Sequence, residues 1–220
     1  MNESEVIKEE NMIDEMTLQS NSDLRYEARE KLIGNWWPCV GLTLIYLIIQ
    51  GVLGFIPFVG GIVSLIITGP MQLGITIFYV SFIRSDEPDF NKFFEGFSDF
   101  GRALAAFILI TLFTLGWTLL LVVPGIIAAF RYSQTFYVLM DDPEISAIDA
   151  IRKSSDMMSG AKLKLFMLVL SFIGWAILTA FTFGIGQLFL IPYVMTSQAL
   201  FYEDLKEAYE DAERSLDLLD

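Results

Sequence analysis

The chain contains no histidine and a single cysteine. Without imidazole, histidine acid–base catalysis, Ser-His-Asp triads and histidine metal ligands are excluded. One thiol, Cys39, cannot form an internal disulfide or a thiolate zinc cluster. Set in an apolar run, it reads as a small buried hydrophobe. Charge is scarce too: 19% of residues are charged and 54% hydrophobic, against about 25% and 45–50% in soluble domains. Bases are the scarcer sign, 14 against 27 acids for a net charge of −13, a balance that argues against nucleic-acid binding. Enzyme motifs are missing as well. There is no Walker A sequence, no His-Glu-x-x-His and no Gly-rich dinucleotide loop. Ser159-Gly-Ala-Lys162 has the Ser-x-x-Lys spacing of some acyl-transfer enzymes but none of their companion motifs. No catalytic constellation, metal site or cofactor is expected.

What is present is length without charge. Residues 32–83 and 165–202 carry no charged side chain, and 103–140 carry only Arg131. A spanning helix needs about 20 apolar residues, so each stretch is long enough for two passes. Breakers mark the turns: Gly54 to Gly61 around Pro57, then Pro124-Gly125, then Gly184-Ile-Gly186. The pattern predicts an all-α integral membrane bundle with six spans near 36–56, 61–83, 103–122, 124–140, 163–183 and 185–202. Apart from Arg131, the bases fall in the tails or between hairpins. Both termini and the long connectors are therefore expected in the cytoplasm, with Trp36 and Trp37 at the inner interface. A re-entrant hairpin would leave the same charge pattern.

The acidity sits at the ends. Residues 1–22 hold six acids and one base, the reverse of a signal peptide's basic start, and read as a disordered cytoplasmic tail. Residues 203–220 hold eight acids and two bases and read as an acidic helix with Leu205, Tyr209, Ala212, Leu216 and Leu219 along one side. The membrane domain, 23–202, is left nearly neutral.

The three hairpins share landmarks. Pro70, Arg131 and Pro192 are 61 residues apart, each in the second helix of its hairpin. Acidic pairs follow at Asp86-Glu87, Asp141-Asp142 and Glu203-Asp204, and Gly34, Gly101 and Gly160 precede the hairpins. The pairs before Pro88 and Pro143 read as helix caps in preference to a cation site. Ahead of each glycine lies a polar or amphipathic segment: Asp23 to Ile33, then Phe90, Phe93, Phe94, Phe97 and Phe100, then Ile145, Ile148 and Ile151. Such helices beside a bilayer are expected in its interface. The reading is three diverged hairpin repeats with interfacial amphipathic helices.

Arg131 is the most informative residue. A charge at membrane depth is unfavourable by about 2.5–3.5 kcal/mol, so it is expected to face the bundle interior. In a structural role it donates to carbonyls of Ile66 and Leu188 freed by Pro70 and Pro192. In a functional role it holds an anionic small molecule or lipid head group in a polar cavity. Gln72, Ser133, Gln134 and Gln198 are the candidate companions, with Thr76, Tyr132, Tyr193 and Thr196 nearby.

Several segments resemble a known family. Arg25-Tyr-Glu-Ala-Arg-Glu-Lys-Leu-Ile-Gly-Asn-Trp36, Pro124-Gly-Ile-Ile-Ala-Ala-Phe-Arg-Tyr132 and Asp142-Pro-Glu-Ile-Ser-Ala-Ile-Asp-Ala-Ile-Arg-Lys-Ser154 carry most of the likeness. Met158-Ser-Gly160, Leu170-Ser-Phe-Ile-Gly-Trp175, Gly184-Ile-Gly186, Pro192-Tyr193 and Phe201-Tyr202 complete it. As a set they are similar to a bacterial polytopic membrane family catalogued as domain of unknown function 975, over about residues 24–205. The resemblance implies a multi-pass bacterial inner or plasma membrane protein and brings no established activity. Two functions are expected from these readings. One is a non-enzymatic permease-like or lipid-handling protein with a polar site at Arg131. The other is a membrane interaction protein meeting a cytosolic or membrane partner through its cytoplasmic helices and tails.

Overall fold

A computed structural model describes residues 18–56, 59–182 and 184–217. Most of the expected N-terminal tail (1–17), Pro57 in the first turn and Leu219 of the terminal stripe lie outside the described residues. Residues 18–22, assigned above to that tail, are structured. Leu18 packs against the core, and Ser20 caps the first helix by accepting from the Asp23 N–H.

Among the described residues there are eleven helices and no strand. They are α1 (Asn21–Leu32), α2 (Trp36–Gly54), α3 (Val59–Ser85), α4 (Asn91–Glu95), α5 (Phe100–Leu120) and α6 (Val122–Arg131), then α7 (Thr135–Asp141), α8 (Ala147–Met157), α9 (Lys162–Leu170), α10 (Ile173–Ala180) and α11 (Gln187–Asp217). Four stretches are long and apolar enough to cross a membrane: Trp36–Gly54, Gly60–Ser85, Phe100–Leu120 and Lys162–Ala180, the last combining α9 and α10. The other two expected spans take different forms. The stretch after Leu121 is two helices parted at 132–134. The last is a single helix that runs through 185–202 and on to Asp217. The acidic C-terminal helix is thus a continuation of α11. No breaker separates Tyr202 from Glu203, and the buried stripe of Phe201 and Tyr202 continues in Leu205.

Local chemistry sets the helix boundaries. α1 and α8 both open on an N-cap serine, Ser20 and Ser146, whose Oγ accepts from the N–H of the aspartate three residues on, Asp23 or Asp149, and donates to that aspartate's carboxylate. Both are followed by a glycine in the left-handed region, Gly34 at φ 86° and Gly160 at φ 80°, which turns the chain into α2 and α9.

The amphipathic helices also pack against protein. α1 buries Leu24, Ala28 and Leu32 completely, and α8 buries Ala150, Ile151 and Met157. In the phenylalanine stripe Phe93 is buried, while Phe90, Phe94, Phe97 and Phe100 stay largely exposed. The apolar stripes of α1 and α8 thus meet protein in part, while most of the phenylalanine stripe stays exposed.

The packing follows a rotation. α4 and α5 pack on α3, α8 packs on α7 and α9 on α6, and α1 and α2 pack on α11. Each hairpin therefore leans on the second helix of the one before it, and the first leans on the last. The core is concentrated in Met71 to Ile83, in α7 and in the stretch from Leu190 to Leu205. The opposite ends of the hairpins, around 44–66, 108–127 and 173–189, expose large apolar side chains, as a lipid-facing surface does.

Candidate functional site

The three positions spaced by 61 residues are two prolines inside continuous helices, Pro70 in α3 and Pro192 in α11, and Arg131 at the break between α6 and α7, and a neighbour is seated at each. In α3, Pro70 removes a helix hydrogen bond, and Gly96, just after α4, sits against the Pro70 carbonyl and the Gly74 backbone. A Cβ on Gly74 or Gly96 would collide with backbone, so this approach requires glycine on both sides. Between α6 and α7 the seat is filled by Ser154 of α8. Its Oγ donates to the Arg131 carbonyl at 3.0 Å and accepts from the Gln134 N–H at 3.1 Å. One hydroxyl thus partners two backbone groups that the break would otherwise leave unpaired. In α11, the Pro192 carbonyl accepts from Thr196 Oγ1 at 2.8 Å, and the next residue, Tyr193, meets α1 through Arg29, whose Nη2 donates to the Tyr193 hydroxyl at 3.3 Å.

Arg131 stands at the second seat. It makes no hydrogen bond to the carbonyls of Ile66 or Leu188 among the described residues, and its buried Nε lacks a partner. Its electrostatic neighbour is Asp156 of α8: burial raises that carboxyl, and the Arg131 charge draws it back down. Of the candidate companions, Ser133 and Gln134 adjoin it. Ser133 Oγ donates to the Phe130 carbonyl and accepts from Gln134 Nε2. Gln72 lines a separate cavity of about 170 Å³ with Leu42, Tyr46, Tyr79 and Met195, and Gln198 is half-buried on α11. Ser133 and Gln134 thus bond to each other beside Arg131 in sequence, and Gln72 lines a different cavity.

Two features went unread in the sequence. The first is an ionic junction where the second helices converge. Arg84 Nη2 of α3 lies 2.9 Å from Asp141 Oδ1 of α7 and 2.6 Å from Glu203 Oε1 of α11. Asp141 Oδ2 also accepts from Lys206 Nζ and the Tyr202 hydroxyl, each at 2.7 Å. Burial raises the Asp141 carboxyl, but the hydrogen bonds from Lys206, Tyr202 and Arg84 outweigh it and hold the group below its ordinary value. Two of the three acidic pairs thus contribute to this junction. Asp86 of the remaining pair is bound to Lys31 at 2.6 Å, and Asp142 caps a turn by accepting from the Glu144 and Ile145 N–H groups. Among the described residues no group of three or more acids and cysteine converges as a metal site.

The second feature is a groove of about 360 Å³ beside the third seat, with α1, α2, α10 and α11 forming its walls. Trp36, Trp175, Phe189 and Leu190 supply an apolar lining, with Thr179 beside Gly186 and Arg29 bonded to Tyr193 completing it. Trp175 and Phe189 are 51% and 40% exposed, so the groove opens sideways onto the apolar surface of the bundle.

Residues 117–209 match the family described as Protein of unknown function (DUF975). The chain resembles DUF975. No curated protein and no solved structure matches it. The DUF975 match contains Arg131, Ser133, Gln134, Ser154, Asp141 and Gln198, and the groove wall from Trp175 to Tyr193. Arg29, Trp36, Gln72 and Arg84 lie before it. The second and third seats are therefore inside the matched stretch, whereas the α1 residues that meet the third seat are outside it.

Proposed function

We propose that this chain is a non-enzymatic, lipid-handling protein of a bacterial cell membrane, built of three diverged hairpin repeats with six passes and both termini in the cytoplasm. The single observation that carries the lipid reading is the groove beside Tyr193. It is largely apolar, polar where Arg29 meets Tyr193 and open to the side, which is the form of a site entered from within a bilayer. The repeat reading is supported by the rotation in packing, by the matching serine caps and the left-handed glycines that follow α1 and α8, and by the 61-residue spacing of Pro70, Arg131 and Pro192. The six-pass reading is supported by length. The α6–α7 stretch, at 1.5 Å per residue, extends about 30 Å, the thickness of a hydrocarbon core. The bacterial membrane follows from the resemblance to DUF975. In this reading Arg131 is structural, seating α8 through Asp156 while its own carbonyl holds Ser154.

The test is purification of the full chain in a mild detergent followed by mass spectrometry of whatever it retains. Lipid handling predicts phospholipid retained through washing at about one molecule per chain. Loss of all lipid under conditions that keep the protein folded would refute it. A second reading, a membrane interaction protein, is favoured by one feature. Where α11 continues past Tyr202, Glu27, Glu203, Asp204, Glu207 and Glu210 line an acidic hollow of about 380 Å³ with Gln19, Leu200 and Lys206. That reading predicts a co-purifying protein that is lost when residues 203–220 are removed.

A further inference from the structure

The three seats are not equivalent, and the difference points to a ligand. At the first seat backbone meets backbone through Gly74 and Gly96. At the second, Ser154 satisfies both exposed backbone groups. At the third, the neighbouring helix contributes a long cation, and the space beside it is open. Arg29 is an exposed residue that forms no salt bridge among the described residues. It gives one hydrogen bond to the Tyr193 hydroxyl and lies 5.8 Å from the centre of that ring. A guanidinium carries five donors in a planar fork suited to phosphate, so most of its capacity is unused. Its near neighbours at the membrane edge are committed elsewhere: Lys31 is bound to Asp86, and the Arg25 side chain donates to the Asn21 carbonyl.

We infer that the groove binds an anionic phospholipid of the cytoplasmic leaflet, its phosphate on the Arg29 guanidinium and the Tyr193 hydroxyl and an acyl chain against Trp36, Trp175, Phe189 and Leu190. This inference rests on the lipid-handling reading and adds the class of lipid and the residues that select it. Three physical points support it. The groove has an apolar lining with its charge at Arg29, which matches an amphiphile and excludes a free anion as the best ligand. The charge is positive and, apart from the electrostatic influence of the adjacent Glu30, forms no salt bridge among the described residues, so a negative head group complements it, and basic pockets between membrane helices on the cytoplasmic side take such head groups. Trp36 is the first residue of α2 and its ring lies 6.1 Å from that of Phe189, so an indole suited to head-group depth stands where polar and apolar walls meet. The run from Tyr193 to Gly186 along α11 covers about 10 Å, comparable with the depth of one leaflet of an about 30 Å core.

The experiment is native mass spectrometry of the full chain in detergent, titrated separately with dioleoyl phosphatidylglycerol and dioleoyl phosphatidylcholine. The wild type is expected to bind the anionic lipid about fivefold more tightly, the scale of one basic residue near an anionic head group. Arg29→Gln should bring the two lipids level, Arg29→Lys should keep most of the preference, and Arg152→Gln, a change at an exposed cation on α8, should leave it intact. Thermal unfolding of each variant checks that it is folded. The wild-type comparison stands without any variant, and high salt should shrink its preference because screening is strong at about 1 M. Equal binding of the two lipids by the wild type, or a preference that survives in folded Arg29→Gln, overturns the head-group assignment and leaves lipid handling in place. No binding of either lipid by the wild type overturns both.

Discussion

Asp141 joins three helices through one carboxylate. It accepts from α3 through Arg84 and from α11 through Tyr202 and Lys206, and those bonds hold its carboxyl below the ordinary value despite burial. A depressed carboxylate contributes stability that is present above its unfolded pKa, about 4, and is lost as pH falls through the lower folded value. Asp156 and Asp204 carry the opposite sign. Burial raises both, so protonating them on the way from neutral pH towards about 4 relieves an unfavourable charge. We therefore expect the unfolding temperature in detergent to hold or rise slightly down to about pH 4 and then fall. Asp141→Asn should lower stability at pH 7 by about 1.5–3 kcal/mol, the range for hydrogen bonds to a charged group, and flatten the acid limb. An unchanged acid limb in Asp141→Asn would assign that limb to other carboxylates.

Among the elements, the break between α6 and α7 and the proline within α3 show how a local defect becomes a contact. A break in a helix leaves carbonyl and N–H groups unpaired, and within a membrane such groups must find partners in protein. α8 provides one through Ser154 and α4 accommodates another through glycine. Ser154→Ala should leave the Arg131 carbonyl and the Gln134 N–H without their partner, lowering stability by about 1–3 kcal/mol and loosening α8 in hydrogen exchange. Glycines test the same idea with opposite signs. Gly96→Ala drives a methyl into the Pro70 carbonyl and should destabilise, whereas Gly101→Ala, with open space around it in α5, should stabilise by about 0.4–1 kcal/mol. Equal effects from the two would mean that the close approach at Gly74 and Gly96 carries no energy. The periodic Pro70, Arg131 and Pro192 were legible as a spacing. Their occupants were not, because Gly96 and Ser154 lie 20 or more residues away and nothing in their local sequence announces a partner.

For the whole molecule, the orientation is open to a direct measurement. Topology reporters after Val59, Pro124 and Ile185 should all read extracytoplasmic and reporters at the two termini cytoplasmic; a cytoplasmic signal at any hairpin turn would mark that hairpin as re-entrant. Charge position alone leads to that expectation, since the bases cluster outside the hairpin turns. The same sequence by itself determined the helical class and the long apolar stretches, because hydrophobic length and charge spacing are local properties. It also narrowed the chemistry by what it omits, chiefly histidine. Tertiary structure alone decided the rest. Arg84 and Glu203 are separated by 119 residues, so their junction with Asp141 exists only once three second helices converge. The groove depends on the same closure: Arg29 faces Tyr193 across 164 residues, where the first hairpin leans on the last. The amphipathic helices α1 and α8 bury part of their apolar faces against the bundle, which their local sequence does not reveal. Local sequence sets which segments are apolar, and only the packed bundle sets which of their faces meet protein and which meet lipid.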